Sequence, residues 1–215
     1  MQQYLLTNKE EGCIISLHSG AVAKSNLSSR EKGCLPPPEK EGDPGMDMTR
    51  EQILDKLLKA YSHSYDIERD VQIGDTDYPA MAIYFLRDEN YVISRKNVIS
   101  ATENHEYVYF LLTEHLGVED LQRHIETTKA DGLGRIKPSK EHMSSMVTLI
   151  IVADTIDAEA KDLIKKTRFH KNYRLALHGW MEYHVAAMEI STKSFLSNPA
   201  GKGAKKSLEQ NFGSG

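Results

Sequence analysis

Cysteine is nearly absent from this chain. Only Cys13 and Cys34 occur in 215 residues, and both precede the first strong helical pattern. The part expected to fold therefore has no disulfide, no thiolate metal ligand and no cysteine nucleophile, which fits a reducing compartment. Long apolar runs are missing too. The longest apolar-rich stretch, Met146 to Ala153, is far short of the ~20 residues that span a bilayer. Near the N-terminus, Lys9, Glu10 and Glu11 precede a weakly apolar stretch at 13–17. Acidic residues there do not suit a secretory leader, so a cytoplasmic location is expected. Neither charge sign dominates: 27 Lys+Arg face 31 Asp+Glu, a net charge of −4. That excludes a binder of nucleic acid over its whole surface and leaves room for a local basic patch.

Specific catalytic motifs are missing as well. The sequence has no Walker-type phosphate loop, no Gly-x-Gly-x-x-Gly, no Gly-x-Ser-x-Gly, no His-Glu-x-x-His and no Cys-x-x-Cys.

What is present begins late in the chain. Residues 1–47 hold Ser-rich and Gly-rich stretches and the run Pro36-Pro37-Pro38, with Pro44 and Gly45 following. These breakers allow no sustained period, so 1–47 reads as a disordered extension. Met46 and Met48 stand just before the first helix, and a start at either would leave a whole domain. Residues 48–211 are expected to form that single domain, and 212–215 a frayed end.

Thr49 followed by Gln52 is a capping-box pattern, and Ile53, Leu54, Leu57, Leu58 and Tyr61 share one face of the helix that follows. Strands are expected around Ile67–Ile73, Pro79–Leu86, Tyr91–Ser94 and Glu106–Thr113, with Asp88-Glu89-Asn90 as a turn. A second helix is expected from Val118 to about Ala130, stopped by Gly132. Met146–Ala153 reads as a buried strand, and Asp157 as the cap of a third helix with Ile156 as its staple. Tyr173, Leu175 and Leu177 alternate like a strand. Met181–Ile190 and Ser194–Leu196 follow as strands, and a last helix covers about 200–210. The expected class is α+β: one domain, an antiparallel-rich mixed sheet, helices mostly on one face, in the order α-β-β-β-β-α-β-α-β-β-β-α.

Three segments carry a resemblance: Gly132–Met143, Lys166–Phe169 and Leu177–Met181. They are similar to segments in a family of small bacterial intracellular proteins of unknown function. The resemblance covers the folded part and implies no activity.

Four features are candidates for a site. The first is a basic segment: Lys161, Lys165, Lys166, Arg168, His170, Lys171 and Arg174, with Arg135, Lys137 and Lys140 on a loop expected nearby. Lys129–Arg174 carries ten Lys+Arg against six Asp+Glu, whereas Thr49–Leu116 has an acidic excess. Such a strip can hold phosphates or an acidic protein face, with Phe169 and Tyr173 as possible stacking rings. The plainer reading is a solvated helix end complementing its dipole.

Asp154 follows the buried strand, where α/β sites gather, although turn chemistry explains it as well. His142, at the other end of that strand, is too distant to share a site with it. His178 and His184 could meet on a bulged strand but lack the further ligands that zinc needs. The order α-β-β-β-α-β is also that of a nuclease core. Asp88, Glu89, Glu103 and Glu106 lie in the right stretch for one, but the acid-x-Lys pair is missing. Trp180, Met181 and Tyr183 are read as core rather than interface.

The leading expectation is a non-enzymatic binding or regulatory domain that engages an anionic partner, nucleic acid or an acidic protein surface, through the basic segment. No cofactor, no metal and no membrane partner are expected. The alternatives are a metal-dependent phosphodiesterase or nuclease-like enzyme, and a homodimeric interaction protein paired through a sheet edge.

Overall fold

The computed structural model describes residues 5–7, 14–16, 48–91 and 98–213. Two short strands, β1 (Leu5–Thr7) and β2 (Ile14–Ser16), pair antiparallel, although the sequence pattern placed no regular element before Met46. The rest of the extension lies outside the described residues, and so does most of the expected strand Tyr91–Ser94.

From Thr49 the chain runs α1 (Arg50–Tyr61), β3 (Asp66–Ile73), β4 (Thr76–Tyr91), β5 (Val98–Leu116), α2 (Val118–Arg135), β6 (His142–Ile156), α3 (Ala158–Lys166), β7 (His170–Asn172), β8 (Trp180–Glu189), β9 (Ser194–Ser197) and α4 (Lys202–Phe212). It is a single α+β domain around a seven-stranded mixed sheet of order β3-β4-β5-β6-β8-β7, with β9 also on β8. Strands β3, β4 and β5 form an antiparallel meander. β5, β6 and β8 are parallel, joined by α2 and α3 as crossover helices. Both β7 and β9 lie antiparallel on the outer edge of β8.

The two-residue period of a strand sends alternate side chains to opposite faces. On one face Met81, Tyr109, Leu149, Ile151, Tyr183 and Val185 meet Leu121 and Ile125 of α2 and Ala160 and Ile164 of α3. On the other, Ala82, Val108, Phe110, Ile150, Val152 and Ala186 meet Leu54, Leu57, Leu58 and Tyr61 of α1 and Leu208 and Phe212 of α4. The helices are thus shared equally between the faces, not gathered on one. The reason is visible in β6, whose residues Val147 to Ala153 are all buried. A strand apolar on both sides needs a helix layer on both sides.

Several local expectations are corrected. Asp88–Asn90 is no turn, because β4 stays in register with β5 through that stretch. Gly132 does not end α2, which runs three residues further. A Cβ at Gly132 would lie 2.5 Å from Cγ2 of Val147, so the glycine serves close packing of α2 on β6. Phe212, placed by the sequence in a loose end, is the buried last residue of α4. Tyr173–Leu177 is not a strand: Leu175 and Leu177 are 94% and 77% exposed, so their alternation records no buried face.

Candidate anion-binding surface

Topology decides where the basic residues go. Parallel strands β5, β6 and β8 all start at one end of the sheet, and crossover helices return the chain to it. The C-termini of α2 and α3, the 136–141 loop and the β7–β8 hairpin therefore share that end. Lys166, Arg168, Lys171, Arg174, Lys137 and Lys140 all lie in these segments.

The two basic stretches are joined through His142. Its Nδ1 lies 2.7 Å from the His178 carbonyl and its Nε2 lies 2.8 Å from Ser145 Oγ. With Nδ1 donating to a carbonyl, a neutral ring accepts the Ser145 hydroxyl at Nε2. The rings of Tyr173 and His105 lie 5.7 and 6.1 Å from the His142 ring. Gly179, at φ 78°, passes so close that a Cβ there would sit 2.6 Å from the His142 ring and carbonyl. This contact locks the hairpin loop against the start of β6. The His142 ring and the Ser145 side chain are buried, which marks them as structural.

The nine predicted cations do not behave alike. Lys161 sits one turn into α3, toward the opposite end of the sheet, and its Nζ is 2.8 Å from Glu189. Arg135 pairs with Asp131 at 2.6 Å and lies over the Tyr107 ring. Lys165 faces Asp162 at 3.7 Å. Among the described residues the other six make no ion pair. Arg168 donates to the carbonyls of Lys165 and Thr167, closing the end of α3, while Lys171 stands over the ring of Tyr173. Two nearby carboxylates are engaged elsewhere, Glu103 and Glu141 being held by Arg87 at 2.7 and 2.9 Å, whereas Glu182 lies 3.5 Å from His184 Nε2 without a hydrogen bond to it.

The expected stacking rings are not free to stack a base. Phe169 and Tyr173 are partly buried against the core, and Lys129 covers Phe169. Instead His170 on edge strand β7 stacks on half-buried Trp180, with centroids 5.6 Å apart.

The hairpin loop has an unusual backbone. Arg174, Leu175 and Ala176 have φ of 47°, 55° and 68°, three successive left-handed residues. Each costs about 1–2 kcal/mol for an L-residue. The loop's own hydrogen bonds hold it: Tyr173 N–H to Gly179 O, Leu177 N–H to Arg174 O and His178 N–H to Tyr173 O. Nothing in the sequence pattern signalled this turn, because Arg-Leu-Ala is a poor left-handed sequence.

The other candidates separate. Asp154 ends near Arg50, 3.6 Å away, at the far end of β6 from His142. His184 lies in β8 beside Glu182, whereas His178 lies in the hairpin loop with its carbonyl on His142, so the two histidines do not form a pair. Glu103 and Glu106 point to opposite faces of β5. Glu106 accepts from Tyr65 and Thr148 on the α1 side. The side chains of Asp88 and Glu89 are outside the described set. Among the described residues, no three His, Cys, Asp or Glu side chains converge to hold a metal, and no helix is long and apolar enough to cross a membrane.

The opposite end of the sheet holds a buried carboxylate that the sequence did not mark. Glu189, 2% exposed, accepts from the Ile156 N–H, Lys161, Thr192 and Ser194. Burial pushes its pKa up, but Lys161, Thr192, Ile156 and Ser194 together outweigh that and hold it at about 2.

Residues 49–210 match the model of a family described as Domain of unknown function (DUF8052), and the chain belongs to that family. No curated protein and no solved structure matches it.

Proposed function

We propose, since the family carries no activity to transfer, that this domain is a non-enzymatic binding module that engages an anionic partner at the strand-start end of its sheet. The observation behind the reading is the set Lys137, Lys140, Lys166, Arg168, Lys171 and Arg174. These six cations come from three segments, lie at one end of the sheet and have no carboxylate partner among the described residues. Cations left unpaired beside engaged carboxylates produce a local positive potential in a chain of net charge −4. Lys161 and Arg135 are left out of the proposed surface because Glu189 and Asp131 meet their charge, and Lys165 because it faces Asp162 on the exposed side of α3. Both cysteines fall outside the matched domain. That placement supports a reducing, cytoplasmic setting, and the sequence resemblance supports a bacterial source.

The test is elution from immobilised heparin in a salt gradient. The wild-type protein is retained, and Lys166→Ala/Arg168→Ala/Lys171→Ala elutes at clearly lower salt, while Lys161→Ala does not shift the elution salt of the folded protein. A triple variant that elutes with the wild type would overturn the reading.

A further inference from the structure

Resting on that anion-binding reading, we infer that the 173–179 hairpin loop seats the domain on an anionic lipid surface. Leu175 and Leu177 enter the headgroup–acyl boundary, and Lys166, Arg168, Lys171 and Arg174 meet the headgroup phosphates.

The two leucines are the most exposed large apolar side chains among the described residues, at 94% and 77%. They flank Ala176 on a hairpin turn. Three consecutive left-handed residues hold that turn, and such strain persists only where the surroundings over-determine it. Here Gly179 wedged against His142 and the Tyr173–Gly179 hydrogen bond do so. The effect is to present aliphatic side chains to solvent rather than fold them onto the sheet. Met143, 48% exposed, lies beside the base of the loop, where a Cβ at Gly179 would sit 2.7 Å from its carbonyl.

Aliphatic tips at the same end of the sheet as unpaired cations match an interface that is apolar below and anionic above. Nucleic acid takes an aliphatic side chain only as a wedge between unstacked bases, and the rings expected to stack bases, Phe169 and Tyr173, are partly buried against the core. A bilayer accepts a convex knob without prior shape complementarity. Much of the turn's backbone is already internally hydrogen-bonded, which lowers the cost of leaving water. A lack of spanning helices, the ground on which no membrane partner was expected, does not bear on a loop that rests at the surface.

The experiment is co-sedimentation of the full chain with large unilamellar vesicles of phosphatidylcholine alone and of phosphatidylcholine with phosphatidylglycerol. Heparin elution of each variant is followed in parallel. The wild type pellets with the phosphatidylglycerol vesicles and not with phosphatidylcholine alone. Leu175→Gln/Leu177→Gln, a change confined to exposed positions, lowers the partition coefficient by about tenfold or more. Its heparin elution and thermal melt stay unchanged. If the wild type is retained on heparin but fails to pellet with anionic vesicles, the lipid assignment falls and the anion-binding surface stands. If the double leucine variant pellets as well as the wild type, insertion of the loop is wrong. If neither heparin nor anionic vesicles retain the wild type, both readings fall together.

Discussion

The hydroxyl of Tyr183, in the middle of β8, lies 2.6 Å from Oγ1 of Thr128 on α2, and both side chains are fully buried. Thr128 donates its proton to the His124 carbonyl, so Tyr183 is the donor to Thr128. Two further strands grip the same helix through tyrosines. Tyr78 of β4 meets His124 at 3.1 Å, and Tyr109 of β5 donates to Asp131 at 2.5 Å. Helix α2 is therefore held by polar contacts across an otherwise apolar interface. Thr128→Val leaves the Tyr183 hydroxyl buried without a partner and costs about 1–3 kcal/mol, whereas Tyr183→Phe costs about 1 kcal/mol, because Thr128 keeps its bond to His124. The double variant is more stable than the sum of the two losses implies, as coupled neighbours require. Urea denaturation of the four proteins checks this, and strict additivity would refute the coupling.

Glu189 predicts a specific acid sensitivity. Its pKa in the folded protein is lowered from 4.5 to about 2. Its ionised form therefore stabilises the fold above the ordinary carboxyl range, and that contribution is lost as pH falls from there toward 2. The full contribution is about 3 kcal/mol. Thermal melts of wild type and Glu189→Gln should differ strongly at pH 7 and converge near pH 2. A constant gap across that range would show that the carboxylate does not supply the stability.

Asn198 completes the outer edge of β8 where β7 has ended and β9 has not begun. Its Oδ1 accepts from the Val185 and Gly201 N–H groups, and its Nδ2 donates to the Tyr183 and Thr167 carbonyls. Asn198→Ala strands several buried backbone groups and costs about 3 kcal/mol or more, since each unsatisfied group costs roughly 1–3. Asn198→Asp retains the two acceptor bonds but turns a carboxylate oxygen toward the Tyr183 and Thr167 carbonyls in a buried site, so it too is strongly destabilising. Hydrogen exchange at the Val185 amide gives a local readout. Unchanged protection in Asn198→Ala would contradict the assignment.

Gly132 predicts a reversal of helix propensity. In an exposed helix interior Gly→Ala stabilises by about 1 kcal/mol. At Gly132 the new methyl collides with Val147, so Ala is expected to destabilise by about 1–3 kcal/mol. Val147→Ala in the same protein makes room and recovers part of the loss. Denaturant midpoints of the two singles and the double decide it.

Local signals in the sequence anticipated much of the fold. The Thr49–Gln52 box forms as expected, with Thr49 Oγ1 accepting from the Gln52 N–H at 3.3 Å and Gln52 Oε1 accepting from the Thr49 N–H at 2.9 Å. Helix α1 was legible because its apolar period matches its buried face, and β6 because its apolar-rich run is buried on both sides. Asp157 does occupy the N-cap position of α3, but its side chain makes no capping bond and instead faces His115 at 3.4 Å. Where chemistry imitated a period, reading failed. Leu175 and Leu177 alternate without a buried face, and Gly132 looks like a stop although it is a contact surface. The candidate surface was half legible. The sequence named nine residues as one cationic set, but charge counting cannot tell a lysine with a buried partner from one without.

What the sequence determined by itself was local: the caps, the apolar faces, the strands with two buried sides, and an uneven charge along the chain. These follow from propensity and side-chain chemistry within a few residues. Tertiary structure alone decided which cations remain unpaired, because Lys161 and Glu189 are 28 residues apart and meet only through the crossover from β6 to β8. It alone placed Lys137 and Arg174 at the same end of the sheet, since parallel strands return every connection to their common start. It also set the left-handed turn that displays two leucines, because the contact between Gly179 and His142 exists only once β6 and β8 are paired.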